Sequence, residues 1–390
     1  MNLAATGSDI ESAHLRRALA LAEEGRGHVS PNPLVGAVLT SPGGEVIGEG
    51  FHARVGELHA ERAALADCRE RGADPAGATM YLTLEPCAHT GRQPPCTDAI
   101  LEAGVARVIY ASEDPTEKAS GRGPGVLRDG GVEVALATGA EAAAARLLNQ
   151  PFRKHARTGR PLVTYKAAMT LDGRVAAPGG DSRWISSARS RELVHRRRSQ
   201  SDAIAVGIGT ALADDPLLTA RPGEGTDATG SEPAASEQNP VRVVFDSMAR
   251  LPLDSALLAS ADDGPVMVIS SPEALTPARD ALTAARAEVV IAPGPDPAAR
   301  LAAALGELGA RGLQDLLLEG GPTLAGSFFD ADEIDSMMLF VAPVLLGAAG
   351  APSPLEGRGA SRIADGTRPL AVEHEQIGED LLIKARVREW

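Results

Sequence analysis

Aromatic side chains are nearly missing, with six Phe, three Tyr and two Trp in 390 residues. A core must therefore be assembled from Leu, Val, Ile and Ala. Cysteine is equally scarce. Cys68, Cys87 and Cys96 are the whole complement, which excludes a disulfide framework and leaves metal ligation or core packing as their uses. No run approaches 18 consecutive apolar residues, so no membrane span is expected. Met1 to Asp9 lacks a basic stretch followed by an apolar one, so a cytoplasmic location is expected. Positive charge is also short, with 38 basic against 52 acidic residues and a net charge of −14. Proteins that bind nucleic acid need a positive footprint, so the balance favours an enzyme acting on small molecules.

What remains is ordinary for a folded chain: 44% apolar and 23% charged residues, at a length that suits two domains. Ser8-Asp9-Ile10-Glu11 reads as a capping box opening a helix. Strands are predicted at 35–39, 45–49, 80–84, 105–111 and 132–137, with helices at 59–71, 96–103 and near 125–129, giving a layered α/β unit over 1–148. The basic, polar stretch 149–161 reads as a linker. A second α/β unit over 162–390 opens on Leu162-Val-Thr-Tyr-Lys-Ala-Ala168. Further strands are predicted at 203–206, 241–246, 266–269, 289–291, 316–318 and 337–341, and a closing antiparallel pair at 371–375 and 380–387. Residues 222–240, rich in Gly, Ser, Thr, Glu, Ala and Pro, read as a surface insertion.

The chemistry concentrates in the first half. His59-Ala60-Glu61 opens a helix, and Glu85-Pro86-Cys87 and then Cys96 follow. An isolated His-x-Glu is usually surface decoration, and two cysteines nine apart are usually packing residues. Together and in this order they form one imidazole and two thiolates, a ligand set for Zn²⁺ with an open fourth position. Glu61, two residues past the histidine, is placed to move a proton for a water at that position. His-x-Glu followed by Pro-Cys-x-x-Cys is the signature of zinc nucleobase deaminases. Here eight residues separate the cysteines instead of two, so the loop must fold back. Cys68 has no such company and reads as a core thiol.

Four segments carry a resemblance: Pro31-Asn32-Pro33-Leu34-Val35-Gly36-Ala37, Gly48-Glu49-Gly50-Phe51-His52, Gly56-Glu57-Leu58-His59-Ala60-Glu61 and Thr83 to Cys96. They resemble the bifunctional deaminase–reductases of riboflavin biosynthesis, in which the long spacing between the cysteines is normal. The likeness continues through Lys166 to Arg174, Ser182-Arg183-Trp184-Ile185-Ser186, Gly209 to Pro216 and Glu319-Gly320-Gly321-Pro322-Thr323-Leu324. It implies an α/β fold with a cytidine-deaminase-like three-layer N-terminal domain and a dihydrofolate-reductase-like C-terminal domain. It also implies zinc-dependent deamination of 2,5-diamino-6-ribosylamino-4(3H)-pyrimidinone 5′-phosphate, then reduction of the ribosyl chain to ribityl with NADPH. In the deaminase, Asn32, His52, His89, Arg92 and Asp114 would hold substrate, and Thr116 stands where the family has Asn. In the reductase, Ala168, Trp184, Thr210, Asp214 and the run Gly321, Pro322, Thr323, Leu324, Ala325, Gly326, Ser327 would line the cofactor. Ser182, Arg198, Leu218, Arg221 and Glu319 would hold the substrate. A homo-oligomer, dimer or tetramer, is implied too.

Read on its own chemistry, the second half is less specific. Leu316 to Phe328 is a strand, a Gly-Gly turn and a helix whose first turn could bind phosphate, or could be a plain strand-to-helix turn. No G-x-G-x-x-G follows the first strand, which disfavours an ordinary Rossmann half. Arg198 and Arg221 suit a phosphate, although Arg196-Arg197-Arg198 could also be a solvated helix face. Lys166 and Asp172 are the polar groups nearest the presumed hydride transfer, and the residues alone do not say which would act as an acid. The rival reading is a nucleoside or nucleic-acid deaminase carrying a non-catalytic C-terminal binding domain.

Overall fold

A computed structural model describes residues 7–91, 93–221 and 239–390. The candidate substrate residue Arg92 and most of the expected 222–240 insertion lie outside the described residues. The chain divides into two compact units at Thr158/Gly159.

In the first unit, strands β1 (Gly36–Thr40), β2 (Val46–Phe51), β3 (Thr79–Leu82), β4 (Arg107–Tyr110) and β5 (Glu133–Leu136) form one sheet in the order β2-β1-β3-β4-β5. β1 is antiparallel to both its neighbours, while β3, β4 and β5 run parallel. Every residue of β1 is buried, as expected of a strand covered on both faces. The two-residue alternation decides which helix each side chain meets. Ala37, Leu39, Met80, Leu82, Val108 and Tyr110 pack with α2 (Ala60–Glu70), α3 (Cys96–Glu102) and α4 (Arg122–Asp129). Val38, Tyr81 and Ile109 face α1 (Gly7–Glu23) and α5 (Ala140–Leu148). The result is three layers.

Two sequence expectations change here. Helix α1 starts at Gly7, which puts Ser8 inside the helix rather than at its cap. Glu11, expected to fold back on that cap, instead accepts from Arg107 Nη1 at 2.7 Å. The stretch 149–161, read as a linker, is mostly helix α6 (Gln150–Thr158). Its long basic side chains mislead a reading by polarity, because Arg153 and Lys154 are buried here and their aliphatic stems can cover apolar surface.

In the second unit, strands β6 (Leu162–Thr170), β7 (Ala203–Gly207), β8 (Val241–Phe245), β9 (Val266–Ser270), β10 (Glu288–Ile291), β11 (Asp315–Leu318), β12 (Ser336–Ala342), β13 (Ala371–Ile377) and β14 (Asp380–Arg386) make a nine-stranded sheet in the order β10-β9-β8-β7-β11-β6-β12-β14-β13. The first seven in that order are parallel, and β14 and β13 close the edge antiparallel. Each strand predicted in this half is present. The helices are α7 (Ala188–Ser199), α8 (Ile208–Asp214), α9 (Ala256–Ala259), α10 (Thr276–Ala284), α11 (Pro297–Ala310) and α12 (Pro322–Asp330). One face of the sheet packs on α11 and α12 through Leu301, Leu305, Leu308 and Phe328, and the other on α9 and α10 through Leu257, Leu258 and Leu282. The carboxyl ends of β7 and β11 run into Gly207 and Glu319-Gly320-Gly321, the crevice end at which open α/β sheets bind ligands. No helix among the described residues is long and apolar enough to cross a membrane.

One packing feature places the first unit's chemistry. β2 presents glycine at 48 and 50 to α2, where an added Cβ would lie 2.4 Å from Ala64 O and 2.4 Å from Ala64 N respectively. The helix that begins just after His59 therefore lies directly on the strand backbone. Gly50→Ala should destabilise the first unit by about 1–3 kcal/mol, the usual effect of overpacking; an unchanged urea midpoint for that unit would show that the contact is not tight.

Candidate active site

His59 is the extended residue just before α2, and Glu61 lies in that helix's first turn. Cys96 is the first residue of α3. Cys87 lies on the loop after β3, and the long loop between the cysteines does fold back. Arg62 of α2 donates to Pro95 O at 2.9 Å, the Gln93 amide donates to Glu57 O, and Thr97 N donates to Cys87 O at 3.2 Å. These pins bring Cys96 Sγ to 3.3 Å and Cys87 Sγ to 3.7 Å from His59 Nδ1. All three ligand atoms lie within 4.8 Å of one another.

The electrostatics match a cation site. The Cys96 S–H and the His59 ring hold the Cys87 thiol down to about 4, well below an ordinary thiol. That neighbouring negative charge, together with burial, pushes Cys96 up. Contact with Cys87 raises His59. Glu61 is 4% exposed, and burial, joined by the Cys87 charge, pushes its carboxyl up. Two sulfurs competing for negative charge beside a buried carboxylate are what a bound dication relieves. One imidazole and two thiolates at this spacing fit zinc.

The other candidates of the first unit are placed unequally. Asn32 Nδ2 lies 3.0 Å from His52 Nε2, and His52 Nδ1 lies 3.0 Å from Leu58 O. The His52 and His59 rings meet edge-on at 5.4 Å. His52 is 3% exposed; burial, and then the neighbouring His59, lower its pKa. Asp114 N donates to Glu85 Oε2 at 3.4 Å, which ties Asp114 to the Glu85-Pro86-Cys87 turn. Thr116, the departure from the family pattern, donates its hydroxyl to Asp114 Oδ1 at 2.7 Å and its N–H to the same oxygen at 2.8 Å. It shapes Asp114 rather than adding a separate group. His89 is exposed on the loop between the cysteines.

The second unit holds a cavity of about 1250 Å³. Among the expected residues, Ala168, Ser182, Trp184, Arg198, Thr210, Asp214, Leu218, Arg221, Glu319, Gly321, Pro322, Thr323, Leu324 and Ser327 line it. Ala325 and Gly326 do not. Ala325 is fully buried in the core under the sheet, and Gly326 packs against the Glu356–Gly357 backbone, 2.4 Å from an added Cβ. On a helix successive side chains point to different faces, so the run from Gly321 to Ser327 turns only part of itself toward the cavity.

Arg198, left open as a possible solvated residue, is largely buried. It donates to Glu319 through Nε at 2.6 Å and Nη2 at 2.9 Å, and to Thr219 O at 3.2 Å. Lys166 Nζ lies 3.9 Å from the same carboxylate. Burial pushes Glu319 up, but the Arg198 and Lys166 charges outweigh it and hold the carboxyl at about 2. Lys166, losing solvation, is pulled down despite Glu319. Asp172 takes no part in this cluster: it accepts from Thr170 Oγ1 at 2.6 Å and Gly347 N at 2.8 Å and does not line the cavity. Reading the sequence missed His195 and Phe245, which do line it. His195 had a signal, since it sits three residues before Arg198 on α7 and so shares its face.

Comparisons with known proteins agree with this geometry. Residues 8–112 match the cytidine and deoxycytidylate deaminase zinc-binding region, and residues 161–383 the RibD C-terminal domain. The riboflavin biosynthesis protein RibD of Actinobacillus pleuropneumoniae is 37% identical over 370 residues, covering 95% of this chain and 93% of that one. The RibD of Escherichia coli is 36% identical over 371 residues, covering 95% and 97%. Among solved structures, Acinetobacter baumannii RibD is 34% identical with a TM-score of 0.83, covering 97% of this chain and 99% of that one. The diaminohydroxyphosphoribosylaminopyrimidine deaminase/5-amino-6-(5-phosphoribosylamino)uracil reductase of Thermotoga maritima is 32% identical with a TM-score of 0.81 and the same coverage. The fold class is the expected one, a cytidine-deaminase-like three-layer domain and a dihydrofolate-reductase-like domain. The chain belongs to the RibD family of bifunctional riboflavin-biosynthesis enzymes, zinc-dependent deaminases and NADPH-dependent reductases in one polypeptide.

Proposed function

We propose that the first unit hydrolytically deaminates 2,5-diamino-6-ribosylamino-4(3H)-pyrimidinone 5′-phosphate and that the second reduces the ribosyl chain of the product to ribityl. The observation that carries this reading is the convergence of His59, Cys87 and Cys96 within 4.8 Å beside a buried Glu61. His59, Cys87 and Cys96 would hold the zinc, which would supply the Lewis acidity that makes water a nucleophile at neutral pH. Glu61 takes the proton of the attacking water and returns it to the departing nitrogen, so a C–O bond forms, the C–N bond breaks and ammonia leaves. Its burial suits a group that must both accept and release a proton near neutrality. Asn32, His89, Arg92 and Asp114 hold the substrate, with His52 behind Asn32.

In the second unit, Ala168, Trp184, Thr210, Asp214 and the first turn of α12 would hold NADPH, which would supply the hydride. Ser182, Leu218 and Arg221 hold the pyrimidine ribose phosphate. Arg198 anchors Glu319 and adds positive potential to that end of the cavity. Lys166, lining the cavity with a depressed pKa, is the better placed of the two proton-donor candidates. A biosynthetic enzyme drawing on NADPH is expected in the cytoplasm. A homo-oligomer is supported by the apolar side chains of Val344, Leu345, Leu370 and Val372, all at least 43% exposed, and by the open edge of β13.

Incubating the purified protein with the diaminopyrimidine ribosyl phosphate should release ammonia without NADPH, and should oxidise NADPH only once deamination has occurred. Ammonia from cytidine and none from this substrate would overturn the reading.

Glu61→Gln should keep about one zinc per chain yet lose deamination by roughly 10²–10⁴-fold, the usual weight of a general acid–base; substantial residual activity would remove Glu61 from the proton path.

The Glu319–Arg198 pair gives a pH signature. A carboxyl near 2 in the fold and 4.5 when free adds stability, on the order of 3 kcal/mol, that is complete above about pH 4.5 and lost as pH falls toward 2. The gap in urea midpoint between wild type and Glu319→Gln should therefore narrow below about pH 4.5. A gap constant with pH would mean that the carboxylate is not held ionised.

A further inference from the structure

Eight residues, Ala88 to Pro95, separate Cys87 from Cys96, where a Pro-Cys-x-x-Cys signature has two. In the short form the backbone alone keeps both thiolates within reach of one ion. The ends of a flexible loop meet less often as it lengthens. By loop-closure scaling the longer link brings its second thiolate to the ion roughly tenfold less often. Chain length therefore does not by itself hold Cys96 against His59 and Cys87. Side chains outside the ligand set must do so.

Two side chains meet that need. Arg62, in the first turn of α2 and one residue past Glu61, donates Nη2 to Pro95 O at 2.9 Å and to Pro94 O at 3.4 Å. Pro95 immediately precedes Cys96, the first residue of α3. Consecutive prolines have fixed φ, so holding their carbonyls holds the start of that helix. The Gln93 amide donates to Glu57 O, and to Gly56 O at 3.4 Å. The Cys96 end of the loop is thus fastened to the chain on both sides of His59. Cys96 N in turn donates to Cys87 Sγ at 3.4 Å, so a displaced Pro95 would disturb both sulfurs.

We propose that Arg62 and Gln93 are positioning residues of the metal centre, a clasp that keeps the Cys96 thiolate beside the ion and so sets how slowly zinc leaves. This rests on the zinc reading of His59, Cys87 and Cys96 and adds two residues outside the ligand set. An ion held by three protein ligands leaves by detaching them in turn. A thiolate on a fastened loop stays at high local concentration and rebinds before the next ligand lets go; on a released loop it moves away. Charge alone predicts the opposite. Arg62 lies three residues after His59, on the turn of chain that presents the ligand, and a cation there repels a dication. Removing that charge would by itself tighten the hold on zinc. The clasp and the charge act in opposite directions, so the sign of the change on losing Arg62 tells them apart.

Zinc release from the full-length, zinc-loaded protein to an excess of a chromogenic chelator tests this, with no dependence on deamination. Arg62→Met, which keeps the stem and loses every donor, and Gln93→Ala should each release zinc about tenfold or more faster than wild type. Arg62→Lys, which keeps the charge and an ammonium able to meet one carbonyl, should fall between. NADPH oxidation on supplied deaminated product should be unaltered in all three, showing that the rest of the chain is intact. Release that is unchanged or slower in Arg62→Met would overturn the clasp. A second readout separates positioning from general support. The urea midpoint of the first unit should drop in the zinc-loaded variants and match wild type once zinc is stripped. Equal drops in both forms would mean that Arg62 and Gln93 only brace the fold. The zinc content of wild type guards the underlying reading. A wild type without zinc removes the metal centre itself, whereas a zinc-bearing wild type with unaltered release in the variants removes only the clasp.

Discussion

Gathering soft anionic ligands in a buried place is the constraint on which the first unit turns. His59, Cys87 and Cys96 share a space narrower than 5 Å, with Glu61 beside them at 4% exposure. Without a cation, one sulfur can ionise only at the other's expense, which is why Cys87 is drawn down while Cys96 is driven up. Such a cluster is costly to build and makes sense as the counter-charge of a metal. Zinc binding is therefore part of this unit's stability as well as of its chemistry.

The scaffold answers that constraint with close backbone contact. His59 and Glu61 belong to the start of a helix laid on Gly48 and Gly50 of β2, where no Cβ keeps the two apart. The opposite wall is similar: Gly123 sits where a Cβ would be 1.9 Å from Pro86 O, so the turn before Cys87 is held by the first turn of α4. Rigid backbone on both sides lets three ligands from distant segments converge with little ordering left to do on binding.

The second unit meets a different constraint with the same logic. Its cavity opens at the carboxyl ends of parallel strands, and the buried Glu319 there is matched by Arg198 and Lys166. Removing one partner would leave an unpaired charge in a low-dielectric site. The cluster is therefore a fixed electrostatic feature of the pocket, present before any ligand arrives.

Sequence alone revealed a great deal where physics is local. The strands of the second half were legible because apolar runs bounded by Gly, Pro and Asp leave few alternatives, and the zinc set because a histidine and two cysteines in a fixed order around His-x-Glu and Glu-Pro rarely coincide. It misread what depends on neighbours. Arg153 and Lys154 look like linker residues until tertiary packing buries them. His52 and Asn32 are the sharpest case. Residue types name them as polar groups, but the contacts that hold them depend on a carbonyl six residues away from His52, and a backbone atom's position leaves no mark in the sequence.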